Sequence, residues 1–141
     1  MSDSVSPVRF IPGENTPMSP HLQVWKFTVT MAASITQRIT GVGNMIGMLL
    51  LTAWIGSAAI SEEAFNTVSA FLGSGLGRFL LFGFTLSVMF HLVNGIRYLF
   101  ADAGKGMGKE QSRKTAWAAY VLAPALTVVI FWAAYAAVGG Q

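Results

Sequence analysis

Residues 79–96 read FLLFGFTLSVMFHLVNGI, contain no charged side chain and are bounded by Arg78 and Arg97. As a helix rising about 1.5 Å per residue, this stretch is about 27 Å long, close to the roughly 30 Å of hydrocarbon in a bilayer. The two arginines can extend their charged groups toward the aqueous boundaries. The stretch therefore predicts a transmembrane helix near residues 76–101, with His91 inside it.

Two further uncharged stretches, residues 39–61 and 115–141, are also long enough to cross a membrane. They predict helices near residues 31–56 and 115–138. The chain is 53% hydrophobic and only 11% charged, whereas soluble domains carry about a quarter charged residues. A soluble helical bundle would also show polar outer faces at helical spacing, which these segments lack. The predicted fold class is an all-α membrane protein with three transmembrane helices.

The first part of the chain differs in composition from the rest. It contains prolines and polar residues without an apolar core, so it predicts a cytoplasmic arm over residues 1–30 followed by a membrane anchor domain over residues 31–141. It lacks the pattern of a signal peptide, and Asp3 and Glu14 are atypical of a transit peptide. This composition favours a bacterial source or a processed mature chain.

The distribution of basic residues predicts the topology. On the side of the first loop there is only Arg78, whereas eight basic residues lie in the arm, in the second loop or at the adjoining helix ends: Arg9, Lys26, Arg38, Arg97, Lys105, Lys109, Arg113 and Lys114. The positive-inside rule then places the N-terminus inside and the C-terminus outside. The net charge of +3 is too small and dispersed to indicate a nucleic-acid partner. The absence of cysteine excludes disulfides, thiolate zinc sites and cysteine-ligated iron–sulfur clusters.

Polar residues recur at steps of three or four along the predicted second helix and form one stripe: Ser87, His91, Asn94, Tyr98 and Asp102. His91 is 13 residues from Arg78 and 11 from Asp102, about 20 Å and 16 Å along the axis and hence near mid-membrane. Ionisable residues at such depth usually have a function.

The predicted first helix carries a second stripe, formed by Ser34, Arg38, Gly41 and Met45. Gly43 and Gly47 have the small-xxx-small spacing of a helix–helix contact surface. A structural interpretation is also open, in which Ser34 caps the start of the helix and Arg38 anchors it at the interface.

Three interpretations of His91 follow from the residues alone. It could bridge two helices by a hydrogen bond, relay protons in a small transporter or channel subunit, or ligate haem iron through a neutral imidazole. The only other histidine is His21, in the arm. A haem with two histidine ligands would therefore need its second ligand from another subunit.

Three stretches resemble motifs of one known family, the cytochrome b subunit of succinate dehydrogenase. They are PMSPHLQVWKF at Pro17–Phe27, SITQRITG at Ser34–Gly41 and HLVNGIRYLFADAG at His91–Gly104. They occur in the family's order, and the resemblance extends over residues 17–138.

This resemblance implies a membrane anchor of succinate:quinone oxidoreductase that is not catalytic alone. It implies a second hydrophobic anchor subunit packed against this one, an iron–sulfur subunit and a flavoprotein subunit on the inner face of the lipid membrane. It also implies haem b between the two anchors, with ubiquinone as the substrate. The location implied is the bacterial inner membrane or, alternatively, the mitochondrial inner membrane.

The resemblance also implies site residues, and it carries no catalytic residue over to this chain. His91 matches the axial ligand of the haem iron, and the other axial histidine would come from the second anchor. Ser34, Arg38 and Asp102 match the quinone site, and Arg38 also lies toward the haem propionates. Two positions on the propionate side depart from the family: Gln37 and Tyr98 each replace a histidine. Both can donate hydrogen bonds, but neither becomes positively charged near neutral pH.

Overall fold

The structure, a computed structural model, describes residues 26–106 and 108–139. Within these ranges the chain forms four helices: α1 (Val29–Ile60), α2 (Glu62–Gly73), α3 (Gly75–Asp102) and α4 (Lys109–Gly139). By length and composition, α1, α3 and α4 can each cross a membrane. They confirm the three predicted spans and extend each of them at both ends. The arm up to residue 25, with its motif and His21, lies outside the described residues, and the domain division at residue 30 stays a prediction.

Helix α1 begins five residues before Ser34. Thr28 is its N-cap, and the Thr28 side chain accepts a hydrogen bond from the backbone N–H of Met31 at 3.4 Å. The interpretation of Ser34 as a helix cap is therefore wrong. Ser34 lies inside the helix, and its hydroxyl is available to a neighbouring element.

Helix α2 was not predicted from the sequence. Ser61 ends α1 and caps α2 by accepting a hydrogen bond from the N–H of Ala64 at 3.1 Å, and two glutamates in the first turn of α2 complement the helix dipole. Trp54 of α1 stacks on Phe65 and donates from Nε1 to Ser69 Oγ at 2.9 Å. These contacts fold α2 back against the end of α1.

The connection from α2 to α3 is a single residue, Ser74, which caps α3 by accepting from the N–H of Gly77 at 3.1 Å. Gly77 is buried, and a Cβ there would overlap the backbone of Phe71 and Leu72. Only glycine allows α3 to start this close to the preceding helix.

Helix α4 packs against α3 through a row of small residues. The row is fully buried and has helical spacing: Ala116, Ala119, Ala123 and Thr127. Phe90 of α3 packs on Tyr120 of α4 with ring centroids 5.0 Å apart. Small side chains let two backbones approach closely, which is the usual basis of helix packing in membranes.

Helices α1 and α3 pack through glycines of α1. A Cβ at Gly43 would lie 3.3 Å from Ser87 Oγ, and a Cβ at Gly47 would overlap the ring of Phe84. The predicted small-residue contact surface is therefore confirmed, with α3 as its partner.

We expect Gly47→Ala to destabilise the protein. Alanine is the better helix former by about 1 kcal/mol, but its methyl group would displace the Phe84 ring, and overpacking costs about 1–3 kcal/mol. The thermal midpoint of the purified protein should fall relative to wild type.

Gly56→Ala is the matched control, because Gly56 lies on the same helix and a Cβ there meets nothing within 4 Å. Its midpoint should stay level or rise. Equal behaviour of the two variants would contradict the close contact between Gly47 and Phe84.

Candidate functional site

Four polar side-chain pairs connect α1 and α3, one pair about every turn. We call them the polar ladder, and they are Ser34–Tyr98 at 2.9 Å, Gln37–Asn94 at 3.0 Å, Thr40–His91 at 3.3 Å and Asn44–Ser87 at 2.7 Å. Four of the five residues in the stripe predicted on the second transmembrane helix take part in the ladder. That stripe is therefore a helix–helix contact.

On α1 the contact face is rotated from the predicted one. Gln37 and Thr40 bond to α3, whereas Arg38 and Met45 are exposed. Successive helical residues differ by about 100°, so steps of three and four from Ser34 lie to either side of it. The sequence was compatible with either side of α1 facing α3. The α1 glycines pack closely on α3, and the side that carries Gln37 is therefore the one in contact.

The hydrogen bonds around His91 indicate its tautomer. The Thr40 hydroxyl lies 2.9 Å from the carbonyl oxygen of Thr36 and 3.0 Å from that of Gln37. Its one hydrogen is donated to these two carbonyl oxygens. His91 Nδ1 lies 3.3 Å from Thr40 Oγ1, and all three contacts of the Thr40 hydroxyl are satisfied when Nδ1 is the donor. We therefore assign the ring hydrogen to Nδ1, which leaves Nε2 as the nitrogen that can bind a ligand.

The Nε2 atom of His91 is available to a ligand. Within residues 26–106 and 108–139, Nε2 has no hydrogen-bond partner. Every buried side-chain nitrogen or oxygen in these ranges has such a partner. Nε2 is therefore not buried by the described residues. On the Nδ1 side, a Cβ at Gly41 would lie 3.4 Å from Cε1, so the ring packs close to the α1 backbone.

These features fit an axial ligand of haem iron. A histidine ligand usually binds metal through one nitrogen while the other donates a hydrogen bond that fixes the ring, as Nδ1 does with Thr40. The described part of the chain contains no cluster of three His, Cys, Asp or Glu residues that could hold a metal ion. A ligand set built around His91 would need its remaining members from outside these ranges or from another chain.

Ser34 and Tyr98 form the ladder pair nearest the α3–α4 loop. The Ser34 hydroxyl lies 2.9 Å from the Tyr98 hydroxyl and 3.1 Å from the carbonyl oxygen of Thr30. The guanidinium of Arg97 lies 5.4 Å from the centre of the Tyr98 ring. The serine of the predicted quinone site and the tyrosine of the predicted propionate side are thus in direct contact.

Gln37 is also bonded to α3. Its Nε2 donates to the carbonyl oxygen of His91 at 3.3 Å, and its Oε1 accepts from Asn94, which is fully buried. The amide nitrogen of Gln37 has a second hydrogen. That hydrogen remains available to an acceptor such as a carboxylate.

Arg97 connects the ladder to α4. Its guanidinium donates to Asn94 Oδ1 at 3.2 Å, to Thr115 Oγ1 at 3.1 Å and to Ser112 Oγ at 2.9 Å. Arg97 therefore joins α3 to α4, whereas Asn94 joins α3 to α1. Together they cross-link the three long helices at one level.

Two predicted site residues lie outside the ladder. Arg38 is exposed on α1, one turn after Ser34, and Asp102 is the exposed last residue of α3. Neither makes a hydrogen bond or ion pair within the part of the chain that the structure describes. Both residues are exposed, so their charged groups are accessible to groups outside the described residues.

Sequence reasoning missed Thr40 and Asn44. The spacing Ser34, Gln37, Thr40, Asn44 has the same three- or four-residue steps as the stripe on α3. The available signal was the presence of two polar stripes of equal length on neighbouring apolar helices. Within lipid, the polar side chains of one stripe can form hydrogen bonds with those of the other.

Three long apolar helices with a polar ladder between two of them define an all-helical integral membrane protein with a histidine site. The family described as the succinate dehydrogenase/fumarate reductase transmembrane subunit matches residues 12–130. The chain belongs to this family.

Similar proteins come from bacteria and from mitochondria. The succinate dehydrogenase cytochrome b556 subunit of Paracoccus denitrificans is 37% identical over 121 residues, which are 84% of this chain and 93% of that one. The b556 subunit of Rickettsia felis is 30% identical over 115 residues, 82% and 90% of the two chains. The mitochondrial cytochrome b560 subunit of Sus scrofa is 35% identical over 97 residues, 67% and 57% of the two chains.

Proposed function

We propose that the chain is the membrane-anchor cytochrome b subunit of succinate:quinone oxidoreductase, binding haem b together with a partner subunit and forming part of the quinone-reduction site. The observation that carries the proposal is the Nε2 atom of His91, which has no hydrogen-bond partner among the described residues and lies at their surface, in a chain whose relatives are named cytochrome b. Family membership favours this function over a proton-relay transporter or channel subunit.

In this proposal the complex has four kinds of subunit. A second anchor supplies the other axial histidine, and a flavoprotein and an iron–sulfur protein deliver electrons from succinate. We place the complex in the bacterial inner membrane, with the mitochondrial inner membrane as the alternative. The N-terminus is inside, because eight of the nine basic residues lie on that side of the predicted topology.

Bound haem b would supply a one-electron redox centre between the two anchors. His91 would ligate the iron through Nε2, and Thr40 would fix the ring. Arg38 and the second amide hydrogen of Gln37 are the available donors for propionates. Tyr98 reaches a propionate only by exchanging its bond to Ser34.

The quinone site involves Ser34, Arg38 and Asp102. Reduction of a quinone to a quinol adds two electrons and two protons, and negative charge develops on the quinone oxygens. The Ser34 hydroxyl and the Arg38 guanidinium, one helical turn apart, would stabilise this charge where little water is present. Asp102, one turn beyond Tyr98, would deliver protons from the end of α3.

We expect Ser34→Ala and Arg38→Leu to lower quinone reductase activity. Each removes a donor to a developing charge, and losing such a bond costs about 1.5–3 kcal/mol, or about tenfold to a hundredfold in rate. The measurement is kcat/KM for a short-chain ubiquinone in the purified complex, alongside succinate oxidation by a soluble dye.

The dye activity should survive in both variants, because the dye takes electrons before the membrane site. Thr52→Ala is the control, since Thr52 is a hydroxyl residue near the other end of α1 that bonds to the Met48 carbonyl oxygen. Equal loss of quinone and dye activity would count against a quinone-site role. Absence of the flavoprotein and iron–sulfur subunits from the purified material would count against the anchor function as a whole.

A further inference from the structure

The direction of the hydrogen bond between Ser34 and Tyr98 follows from the neighbouring backbone. The Ser34 hydroxyl has one hydrogen, which it donates to the carbonyl oxygen of Thr30 at 3.1 Å. A carbonyl oxygen can only accept whereas a phenol can donate, so we assign Tyr98 as the donor in the 2.9 Å pair and Ser34 as the acceptor. The Tyr98 phenol donates to a lone pair of the Ser34 oxygen, and the Ser34 hydrogen is donated to a second partner, the Thr30 carbonyl oxygen.

That second partner can release the hydrogen at low cost. In an α-helix the carbonyl oxygen of Thr30 also accepts the backbone N–H four residues later, so it stays paired when the serine hydroxyl turns away. The Ser34 hydroxyl can then rotate toward another acceptor while it still accepts from Tyr98. The hydrogen bond from Tyr98 limits how far the Ser34 oxygen can move during this rotation.

We propose that Tyr98 is a positioning residue of the quinone site: its phenol holds the Ser34 hydroxyl so that the serine hydrogen can turn from the Thr30 carbonyl oxygen to a carbonyl oxygen of the quinone. The inference rests on the proposed function, in which Ser34 donates to the quinone. Tyr98 acts through Ser34 and does not itself contact the substrate.

The surroundings of Tyr98 suit this role. Its ring is half-buried beneath the guanidinium of Arg97, and Arg97 is held by Ser112 and Thr115 of α4. The orientation of one hydroxyl on α1 thus depends on α3 and α4. A phenol has one hydrogen to donate, so Tyr98 cannot donate to Ser34 and to a haem propionate at the same time.

The chain offers a matched control for this hydroxyl pair. Tyr120 of α4 and Thr36 of α1 have their hydroxyl oxygens 2.8 Å apart, and both residues are half-buried. This pair also joins α1 to a neighbouring helix, two residues from Ser34, but it involves no residue of the proposed site. Tyr120→Phe removes an equivalent bond and reports the purely structural effect of such a loss.

The experiment compares Tyr98→Phe, Ser34→Ala, the double variant and Tyr120→Phe in the purified complex. The readouts are kcat/KM for a short-chain ubiquinone, succinate oxidation by a soluble dye, and the midpoint potential of the haem. We expect Tyr98→Phe to lower kcat/KM by about twofold to tenfold, the range for one lost hydrogen bond, with dye activity and potential unchanged. The double variant should match Ser34→Ala, and Tyr120→Phe should match wild type.

Several results would overturn the inference. One is an unchanged kcat/KM in Tyr98→Phe while Ser34→Ala lowers it, which leaves the proposed function standing. Additive losses in the double variant would show that Tyr98 does not act through Ser34. A shifted haem potential with unchanged quinone kinetics would assign the phenol to the propionates. No effect of Ser34→Ala would remove the quinone role of Ser34 and the inference with it.

Discussion

Replacement of His91 by leucine is expected to abolish the b-type band in dithionite-reduced minus oxidised spectra of the purified complex. Leucine has a similar bulk but offers no lone pair to iron, and the chain's other histidine, His21, belongs to the N-terminal arm. Since Nε2 of His91 has no hydrogen-bond partner among residues 26–106 and 108–139, no ladder hydrogen bond would have to break for it to ligate iron. The loss of the band should therefore be complete.

Ser87→Ala provides the control for this prediction. Ser87 lies one turn from His91 on the same face of α3, and its hydroxyl oxygen lies 2.7 Å from Asn44 Oδ1 and 3.0 Å from the Thr40 carbonyl oxygen, which share its one hydrogen. The variant removes a rung of the ladder and keeps the imidazole, so the band should persist. A band that survives in His91→Leu, or a wild-type complex without one, would rule out the haem ligand.

Arg97→Leu is expected to impair assembly most strongly among substitutions at the helix contacts. It removes bonds to Asn94, Ser112 and Thr115, and bonds to a charged donor contribute about 1.5–3 kcal/mol each. The substitution also leaves the Oδ1 atom of the buried Asn94 without its hydrogen-bond donor. Leaving a buried acceptor unsatisfied lowers stability by about 1–3 kcal/mol more. The yield of purified complex and its thermal midpoint should both fall well below wild type.

Two variants separate bonding from charge. Arg97→Lys keeps the positive charge that favours the predicted topology but loses the planar fork of donors, so its stability should lie between wild type and Arg97→Leu. Arg78→Leu removes an arginine at the other end of α3, which makes no bond among the described residues, and should resemble wild type. If Arg78→Leu and Arg97→Leu lowered the midpoint equally, the contacts of Arg97 would not explain its importance.

The three spans could be predicted because a membrane helix is recognised by its own composition. Uncharged runs of about 20 residues predict such a helix without knowledge of its neighbours. Helix α2 differs, because Phe65 and Ser69 are recognisable as a packing face only once Trp54 is known to lie against them. Its start signal, Ser61 followed by two glutamates, was present in the sequence.

The site was predictable in part for a similar reason. The stripe on α3 was placed correctly because His91 and Asn94 stand out within an apolar run. On α1 the choice between Gln37 and Arg38 depended on which side of the helix meets α3, and periodicity leaves that open at a step of 100°. The bond between Ser34 and Tyr98 joins residues 64 positions apart, and no local pattern specifies such a pairing. Haem ligation by His91 and quinone binding at Ser34 stay predictions.

The polar ladder also bears on how the complex is built. A slide of α3 along α1 by one turn, about 5.4 Å, would break all four pairs together and would move the Phe84 ring away from Gly47. The ladder and this glycine contact together favour the observed register. The imidazole of His91 is consequently held at a fixed depth beside α1 by this chain alone. In the proposed function, this chain would therefore present a preorganised half-site, and the second anchor would meet a ligand whose orientation is already set. Part of the ordering cost of binding the cofactor would then be met by the pairing of α1 with α3.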